Sequence, residues 1–234
     1  MTILSIDTAT RVCSAAIWQG PSRMHGEDVN HARMLPLFLE EILGELREQG
    51  KVPEAVALSE GPGSYTGLRI GSSTAKGLCY AWDIPLIPIP TTEVLCATFL
   101  AQREVEKDAV LCPMIDARRM EVYTAFYTTD LQPLCDIHAH VVDDAAAFFA
   151  PIAGKAKKVY CFGDGAEKCR ELFGHADATI SVEIVADIVP DARYMGAIAA
   201  ARVDKAVRGK DLAYYEPFYL KEFVAAPSHV KGLE

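Results

Sequence analysis

A glycine-rich segment between a predicted strand and a predicted helix is the first candidate for chemistry. Residues 59–71 read SEGPGSYTGLRIG and follow an apolar run at 56–58. Glycines allow positive φ angles, and a helix that starts after such a loop directs N–H groups outward, as phosphate-binding loops do. The spacing fits neither G-x-x-x-x-G-K-[ST] nor G-x-G-x-x-G. From this segment alone, an anion site and a structural turn are equally open.

Two aspartates hold equivalent places in a weak internal repeat. The stretches ILSIDTATRVCSAAIW, from Ile3, and LCPMIDARRMEVYTAFY, from Leu111, both run apolar strand, Ile-Asp, polar turn and second apolar strand. Asp7 therefore corresponds to Asp116. The repeat predicts a duplicated fold with domains at 1–105 and 106–234, divided near the polar stretch QREVEKD. Chance similarity of two hairpins is the alternative.

Composition restricts the class of protein and its partners. The chain has 234 residues, half of them hydrophobic, and a formal net charge of -9. An acidic chain without a long basic cluster lacks the electrostatic footprint of a nucleic-acid-binding protein, so we do not expect this chain alone to bind RNA directly. We find neither a basic signal-peptide start nor a run of about 18 apolar residues, and expect a cytoplasmic protein without a membrane partner. Seven cysteines without a C-x-x-C pair predict free, mostly buried thiols.

Periodicity predicts alternating strands and helices. Strand-like runs occur at 2–7, 12–18, 56–59, 85–89, 110–116, 121–128 and 158–162. Helical patterns occur at 31–49, 65–82, 91–103 and 192–208. This order predicts an α/β fold with mixed sheets. A duplicated lobe that begins with an Asp-turn hairpin resembles the actin, sugar kinase and Hsp70 (ASKHA) architecture, whose members hold ATP between two lobes.

Several segments together resemble the TsaB (YeaZ) family over nearly the whole chain. They are ILSIDTAT, NHARMLP, GPGSYTGLRIG followed by AKGL, IDARRMEVY and YEPFYLK. The resemblance implies a duplicated actin-like fold of two lobes, each with a mixed β-sheet flanked by helices. It also implies a non-catalytic paralogue of TsaD, which acts beside TsaD and the ATPase TsaE in threonylcarbamoyladenosine formation on tRNA.

The metal ligands of TsaD have no counterpart in this sequence. The paralogue's two histidine positions fall on Thr91 and Leu95, neither of which replaces an imidazole, and one carboxylate between them, Glu93, does not make a metal site. His138 and His140 lie two apart on a predicted strand without a visible third ligand. We therefore predict no metal, no cofactor and no catalytic residue.

The turns that would hold nucleotide phosphates also differ from those of a kinase. Ala9 replaces a glycine in the first turn, and the second turn carries bulky side chains at Arg118 and Arg119. These arginines either bind an anion or pair with Glu121 or a neighbouring acid. A Gly-Asp-Gly turn at 163–165 resembles a nucleotide-wrapping turn. The candidate nucleotide or anion contacts are Asp7, Thr8, Gly61, Gly63, Ser64, Arg118, Gly163 and Gly165.

Close packing against another helix is a second explanation for the glycines in the predicted helix 65–82. Gly67 and Gly71 fall on one helical face, and each helix glycine costs about 1 kcal/mol relative to alanine, so a close contact should compensate. We expect helices 31–49 and 65–82 to dock on the same helices of TsaD or, when the chain is alone, of a second copy. The alternative is that both helices simply cover the sheet. The predicted partner-binding residues are His31, Met34, Leu35, Phe38, Leu39, Ile42, Gly67, Gly71, Thr74, Ala75 and Leu78.

The sequence and the resemblance thus favour a scaffold over an enzyme, with two alternatives. One is an ATP-dependent small-molecule kinase or a peptidase-like enzyme of the actin-like superfamily, and the other is an independent homodimeric adaptor. A kinase would use Asp7 or Asp116 against glycine-lined phosphates, but both turns are poor. Ser64 follows a glycine directly and does not form the G-x-S-x-G elbow of a serine hydrolase.

Overall fold

The computed structural model describes residues 1–26, 30–174 and 180–221. Its first sheet has five strands in the order β3-β2-β1-β4-β5. They are β1 (Ile3–Asp7), β2 (Cys13–Ile17), β3 (Ser22–His25), β4 (Ala55–Gly61) and β5 (Leu86–Pro90). Strands β1, β2 and β3 pair antiparallel, whereas β1, β4 and β5 pair parallel. Every residue of β1 and β2 is buried, as expected for strands covered on both faces.

The second sheet repeats this topology. Its main path runs β11-β10-β6-β7-β9, and the short β8 pairs with β6. The strands are β6 (Val110–Asp116), β7 (Glu121–Thr124), β8 (Tyr127–Thr128), β9 (His138–Val141), β10 (Lys158–Phe162) and β11 (Ser181–Val185). Strands β6, β7 and β9 pair antiparallel, whereas β6, β10 and β11 pair parallel. The strand after each Ile-Asp pair therefore holds the same place in both sheets, which confirms the predicted duplicated actin-like fold.

Seven α-helices flank these sheets in the described part of the chain. They are α1 (His31–Glu48), α2 (Tyr65–Trp82), α3 (Thr91–Gln102), α4 (Ala145–Phe149), α5 (Arg170–Phe173), α6 (Met195–Ala200) and α7 (Gly209–Tyr214). Local capping residues fix the N-termini of the two long helices, α1 and α2. The Asn30 side chain accepts a hydrogen bond from the Arg33 N–H, and the Ser64 hydroxyl accepts one from the Gly67 N–H. No helix of the described ranges is long and apolar enough to cross a membrane.

The predicted elements agree closely with the structure in the first half and less closely near the C-terminus. Helix 65–82 and the strands at 110–116 and 158–162 have the predicted bounds. The strand predicted at 121–128 divides into β7 and β8. The polar strands β3 and β11 were not predicted, because the residues SRMH and SVEIV do not form a strong apolar run.

The helix predicted at 192–208 is shorter than expected and is not continuous. The structure has a 3-10 turn at Ala192–Tyr194, α6 and a second 3-10 turn at Val203–Lys205, and the chain then becomes extended. At Val207 the backbone N–H and carbonyl both bond to Leu86 on the edge of β5, at 2.7 and 3.0 Å. Sheet hydrogen bonds therefore replace helical ones, and α7 follows where no helix was predicted.

The C-terminal part of the chain returns to the first sheet. Met195, Ile198 and Ala199 pack with core residues of β1 and β5, and Leu212 joins the core between α1, α2 and the same sheet. The predicted division at residue 105 falls in the loop between α3 and β6, but residues after 192 cross back over it. The assignment of 1–105 and 106–234 as domains stays a prediction. All seven cysteines are free thiols, and six of them are buried.

Candidate functional site

A cleft of about 800 Å³ lies between the two halves of the molecule. Its walls come from the turn after β1, the start of α2, the turn after β6, Asp164 after β10, and the chain segment 218–221. The carboxyl ends of the two equivalent strands, β1 and β6, therefore open into one cavity. Ligands of open α/β sheets bind at such strand ends, so this cleft is the candidate site.

The backbone of the first hairpin turn lies directly against the glycine-rich loop. The Ser64 N–H donates to the Ala9 carbonyl oxygen at 2.7 Å. A Cβ atom added to Gly63 would lie 2.2 Å from that oxygen, and one added to Gly67 would lie 2.0 Å from the Thr8 carbonyl oxygen. These glycines let the first hairpin turn rest on α2, with carbonyl oxygens directed at the loop. Because carbonyl oxygens repel phosphate, the geometry favours the structural turn over a phosphate-binding loop at this point.

Three of the eight predicted nucleotide or anion contacts line the cleft, namely Gly63, Ser64 and Arg118. The other five residues do not line the cleft. The structure corrects the prediction of ligand contact for them, because they pack against other parts of the protein. Asp7 and Thr8 are fully buried, and the Thr8 hydroxyl donates to the Gly67 carbonyl oxygen at 2.8 Å.

The remaining three are glycines at which another backbone segment passes so close that a Cβ atom would not fit. A Cβ atom on Gly61 would lie 2.6 Å from the Phe218 carbonyl oxygen, and one on Gly163 would lie 2.4 Å from the Met114 carbonyl oxygen. On Gly165 it would lie 3.0 Å from the Asp116 nitrogen. The predicted nucleotide-wrapping turn at 163–165 is thus explained by close strand packing.

Asp7 is sealed inside the first half. Its Oδ1 accepts a long hydrogen bond from the Ala9 N–H at 3.3 Å, and its Oδ2 has no hydrogen-bond partner among the described residues. Burial raises the pKa of Asp7 to about 6, against the lowering effects of hydrogen bonds and of the His31 charge. A kinase base must reach a substrate hydroxyl, and this carboxyl is absent from the cleft wall.

The acids beside the second turn already have lysine partners. The Lys168 ammonium pairs with Asp116, and the Lys221 ammonium pairs with Glu121. Asp164 accepts a hydrogen bond from the Asp116 N–H at 2.8 Å. Burial raises the pKa of Asp164, and the charges of Arg11 and Lys168 oppose that rise, so Arg11 acts on this carboxyl from the other half of the molecule.

Arg118 and Arg119 do not pair with those acids. Both are exposed, their φ angles are +69° and +53°, and neither forms an ion pair with a described residue. Of the two alternatives that the sequence left open, pairing with Glu121 is therefore not found.

The residues at the paralogue's metal positions are engaged in internal contacts. The Thr91 hydroxyl lies 2.9 Å from Ser59 Oγ and accepts from the Gly61 N–H at 3.1 Å, and Leu95 is in the core. Glu93 is 5% exposed and accepts a hydrogen bond from Arg202 at 2.6 Å. Nowhere in ranges 1–26, 30–174 and 180–221 do three or more His, Cys, Asp or Glu side chains form a group that could hold a metal ion.

Most of the predicted partner-binding residues are inside the monomer. The buried ones are Leu35, Phe38, Leu39, Ile42, Gly67, Gly71 and Ala75. For Gly71, the compensating contact is Thr8 Oγ1, 2.3 Å from an added Cβ, and not a helix of another subunit. These seven residues are corrected to core positions, because α1 packs on β2 and β3 while α2 packs on β4. His31, Met34, Thr74 and Leu78 are half-buried, and the His31 ring lies 3.2 Å from the Val12 carbonyl oxygen.

The outward side of the same helices has its own apolar and small residues. Leu37 is 44% exposed and Tyr80 is 85% exposed. A Cβ atom on Gly44 or on Gly77 would meet nothing within 4 Å. We call Leu37, Gly44, Ser73, Gly77 and Tyr80 the outer helical face. None of these five residues was among the predicted partner-binding residues; the signal that could have found Gly77 was a glycine inside a helical pattern.

A C-terminal segment that the sequence left without a role closes one side of the cleft. The Phe218 N–H donates to the Glu60 carbonyl oxygen at 2.8 Å, and the Tyr219 ring lies 5.1 Å from the Tyr65 ring. Lys221 then reaches Glu121 in the other half. The quoted segment YEPFYLK thus spans the cleft, and together with Arg11 and Tyr123 it supplies wall residues that sequence reasoning did not find.

Two sheets of one repeated topology with a cleft at their strand ends define a two-lobed protein of the actin-like (ASKHA) class. The profile of the family described as "TsaD: tRNA N6-adenosine threonylcarbamoyltransferase" matches residues 28–228. The chain belongs to this family, and its relatives carry the name TsaB or YeaZ, which confirms the resemblance read from the sequence.

Curated relatives match part of the chain. The "tRNA threonylcarbamoyladenosine biosynthesis protein TsaB" of Haemophilus influenzae is 35% identical over 126 residues, which is 53% of this chain and 52% of that protein. The protein of the same description from Escherichia coli is 38% identical over 133 residues, 56% of each chain. The chain thus spans about half the length of the curated relatives it matches.

Solved structures match the fold more completely. YeaZ from Pseudomonas aeruginosa aligns with a TM-score of 0.71 and 24% identity, covering 94% of this chain and 99% of that one. Another structure, described as an uncharacterized protein with similarity to peptidase YEAZ from Pseudomonas aeruginosa, aligns at 0.70 and 25% identity over the same shares.

Proposed function

We propose that this chain serves threonylcarbamoyladenosine formation on tRNA as a non-catalytic scaffold that docks on a TsaD paralogue. The names of its relatives and the matching family profile support a role in threonylcarbamoyladenosine biosynthesis. The docking site in this proposal is the outer helical face, which replaces the largely buried residues inferred from the sequence.

The observation that carries the proposal is the presence of two open glycines on adjacent helices. Gly44 in α1 and Gly77 in α2 have no neighbour that a Cβ would touch, whereas each costs a helix about 1 kcal/mol. No contact with a residue in the described part of the chain compensates for these two glycines. A helix of another subunit could approach closely along them, with Leu37 and Tyr80 supplying apolar contact at the sides.

The cleft supports a role without chemistry of its own. Asp7 does not reach the cavity, and Asp116 lines it but is paired with Lys168. Glu93 is held by Arg202, and the glycine loop faces carbonyl oxygens. A kinase or peptidase-like enzyme, the alternative function, would need at least one of these groups directed at a substrate. The subunit would instead lower the free energy of assembling an active partner.

The occupant of the outer helical face is the same pair of helices from the TsaD paralogue. A second copy of this chain offers an identical pair, so we expect a homodimer through this face when TsaD is missing. TsaE is the further partner in this proposal. The net charge of -9 supports contact with tRNA only through the assembled complex.

The docking surface can be tested by replacing Gly77 with leucine. The added side chain would project into open space in the monomer, so we expect normal folding but a loss of association with purified TsaD, measured by analytical ultracentrifugation. Ala147→Leu on the exposed side of α4 is the matched control and should associate normally. Gly71→Leu and Leu39→Glu are unsuitable, because both positions are buried. Association of the folded Gly77→Leu chain at wild-type strength would contradict the proposed face.

The non-catalytic role needs a separate measurement. Threonylcarbamoyladenosine formation should be reconstituted from TsaD and TsaE with and without this chain. We expect product to increase when the chain is added, and expect none from the chain by itself. Product from this chain without TsaD would overturn the scaffold role and favour the enzyme alternative.

A further inference from the structure

We propose that His138 and His140 form a binding site for a divalent metal ion of the Zn²⁺ and Ni²⁺ kind. The site lies on strand β9, at the edge of the second sheet. It is separate from the cleft and from the paralogue's metal positions at Thr91 and Leu95. It does not depend on docking at the outer helical face.

The spacing of the two rings fits one shared ion. His138 and His140 are two residues apart on a strand, so both side chains project to the same face of the sheet. Their ring centroids lie 5.7 Å apart. An imidazole nitrogen binds Zn²⁺ at about 2.0–2.1 Å, so two rings that share one ion have centroids about 5–6 Å apart.

A hydrogen bond to the backbone prepares the first ring for a metal. Nδ1 of His138 lies 2.9 Å from the Asp136 carbonyl oxygen. A carbonyl oxygen only accepts, so Nδ1 carries the proton and donates it, and the lone pair of the neutral ring is on Nε2. Metal-binding histidines are oriented in this way, by an N–H donated to a carbonyl or a carboxylate. Nε2 of His138 is therefore the ligand atom.

The second ring is held in place while its nitrogens face solvent. The His140 ring packs edge-to-face on the buried Phe148 ring, with centroids 5.0 Å apart and an interplanar angle of 87°. Neither ring nitrogen has a hydrogen-bond partner among the described residues, and neither is among the buried polar atoms there that lack one. A nitrogen of this ring is therefore free to bind an ion, and the packing limits the rotational freedom that binding would remove.

The charge around strand β9 favours a cation. Residues 120–154 contain five acidic residues and no lysine or arginine. Two of these acids, Asp136 and Asp143, lie two residues before and two residues after the strand, and both are exposed. A stretch of one charge sign raises the local concentration of ions of the opposite sign. A positive ion is therefore attracted to the face that carries the histidines.

The ligand atoms indicate which ions the site takes. Imidazole nitrogens suit Zn²⁺, Cu²⁺ and Ni²⁺, whereas Mg²⁺ and Ca²⁺ prefer oxygen ligands. No group of three possible protein ligands occurs within the described ranges, so water must complete the coordination. The missing third ligand, on which the sequence-based prediction of no metal rested, thus limits the affinity of this pair and leaves binding by two imidazoles open.

Calorimetric titration of the reduced chain with Zn²⁺, Ni²⁺ and Mg²⁺ tests this site. We expect Zn²⁺ and Ni²⁺ to bind and Mg²⁺ not to compete with them. His138→Gln and His140→Gln should each weaken Zn²⁺ binding at least about tenfold, because loss of even an indirect partner of a metal ligand costs about 10- to 100-fold in affinity. His25→Gln, at an exposed histidine of β3, is the matched control and should leave the affinity unchanged.

A measurement on the wild-type chain does not depend on how the variants fold. Ni²⁺ is paramagnetic in octahedral coordination, and we expect it to broaden the NMR signals of the His138 and His140 rings before those of His25. Circular dichroism shows whether each glutamine variant is folded. Unchanged Zn²⁺ affinity in either folded variant, an equal loss in His25→Gln, broadening that spares the two rings, or displacement of Zn²⁺ by Mg²⁺ would each overturn the proposal.

Discussion

Asp7 shows how one residue can have the position of a catalytic group without its accessibility. It ends β1, as expected for an actin-like hairpin, yet its side chain is fully buried and one carboxyl oxygen has no hydrogen-bond partner in the described part of the chain. A buried, poorly satisfied carboxylate should destabilise the fold when it is ionised.

Asp7→Asn should therefore change the pH dependence of stability. Because the folded pKa is about 6, above the unfolded value of roughly 3.9, the native state binds more protons between these values, and its stability falls as pH rises through the interval. The asparagine variant lacks this fall. Relative to wild type, we expect it to gain about 2 kcal/mol of unfolding free energy between about pH 4 and pH 7.

Urea denaturation at a series of pH values measures this difference. Asp130→Asn, at an exposed loop residue, is the control and should follow the wild-type profile. Parallel profiles for Asp7→Asn and wild type would show that the buried carboxyl does not ionise in this range.

Arg118 and Arg119 allow a second prediction for single residues. Glycine removes the steric cost of their positive φ angles, so each glycine variant should raise the free energy of unfolding by about 1 kcal/mol. Arg103, at φ -140°, has no such cost, and Arg103→Gly should lower stability. Thermal denaturation distinguishes the two results. A loss of stability in both turn variants would mean that the arginine side chains support the turn.

At the scale of elements, α2 carries glycines of two different kinds. Gly67 and Gly71 face the first hairpin turn, whereas Gly77 faces open space on the same helix. The glycines on the inner side of the helix are explained by close packing on the first hairpin turn. No contact with a described residue explains the glycine on its outer side. That contrast separates the folding role of this helix from its proposed docking role.

Alanine substitutions on the two sides of α2 should have opposite effects. Gly67→Ala would place a Cβ atom 2.0 Å from the Thr8 carbonyl oxygen, and we expect a loss of about 3 kcal/mol in unfolding free energy. Gly77→Ala has no such clash and should gain about 1 kcal/mol from helix propensity. Chemical denaturation of both variants tests this prediction. Similar effects of the two substitutions would contradict the packing of the hairpin turn on α2.

At the scale of the whole molecule, the C-terminal segment joins the two halves. After leaving the second sheet, the chain returns to pack α6 on β1 and β5, extends beside Leu86, and then crosses the cleft to place Lys221 on Glu121. The Glu93–Arg202 pair links this segment to α3. The halves are therefore connected by more than the loop near residue 105.

Removal of Arg202 should weaken this attachment. Arg202→Met leaves the Glu93 carboxylate buried without its partner, and we expect a loss of about 3 kcal/mol at neutral pH. Burial already raises the pKa of Glu93 and Arg202 opposes that rise, so the carboxyl of the variant should protonate more readily and the loss should shrink on acidification.

The double variant Glu93→Gln with Arg202→Met is the control for the unpaired charge. It should recover part of the lost stability in urea denaturation, and its loss should not depend on pH through Glu93. If Arg202→Met is equally destabilised at all pH values, packing of the arginine side chain is the cause instead of the unpaired charge.

The sequence by itself determined the local elements and the duplication. The apolar runs at 110–116 and 158–162 and the helical pattern at 65–82 depend on neighbouring residues, so pattern and composition were sufficient to place these strands and this helix. The equivalence of Asp7 and Asp116 was also visible, because both follow the same short motif.

Only the tertiary structure decided which side of each helix is buried and which residues form the cleft wall. Helical periodicity shows that Leu39 and Gly71 share apolar or small faces with their neighbours, but it does not show whether the sheet or another subunit covers them. That depends on contacts such as Thr8 with Gly67, which are far apart in the chain. The side chains that line the cavity, including Arg11 and Tyr219, likewise meet only after both halves and the C-terminal segment have packed, because no local pattern encodes a distance between separate elements.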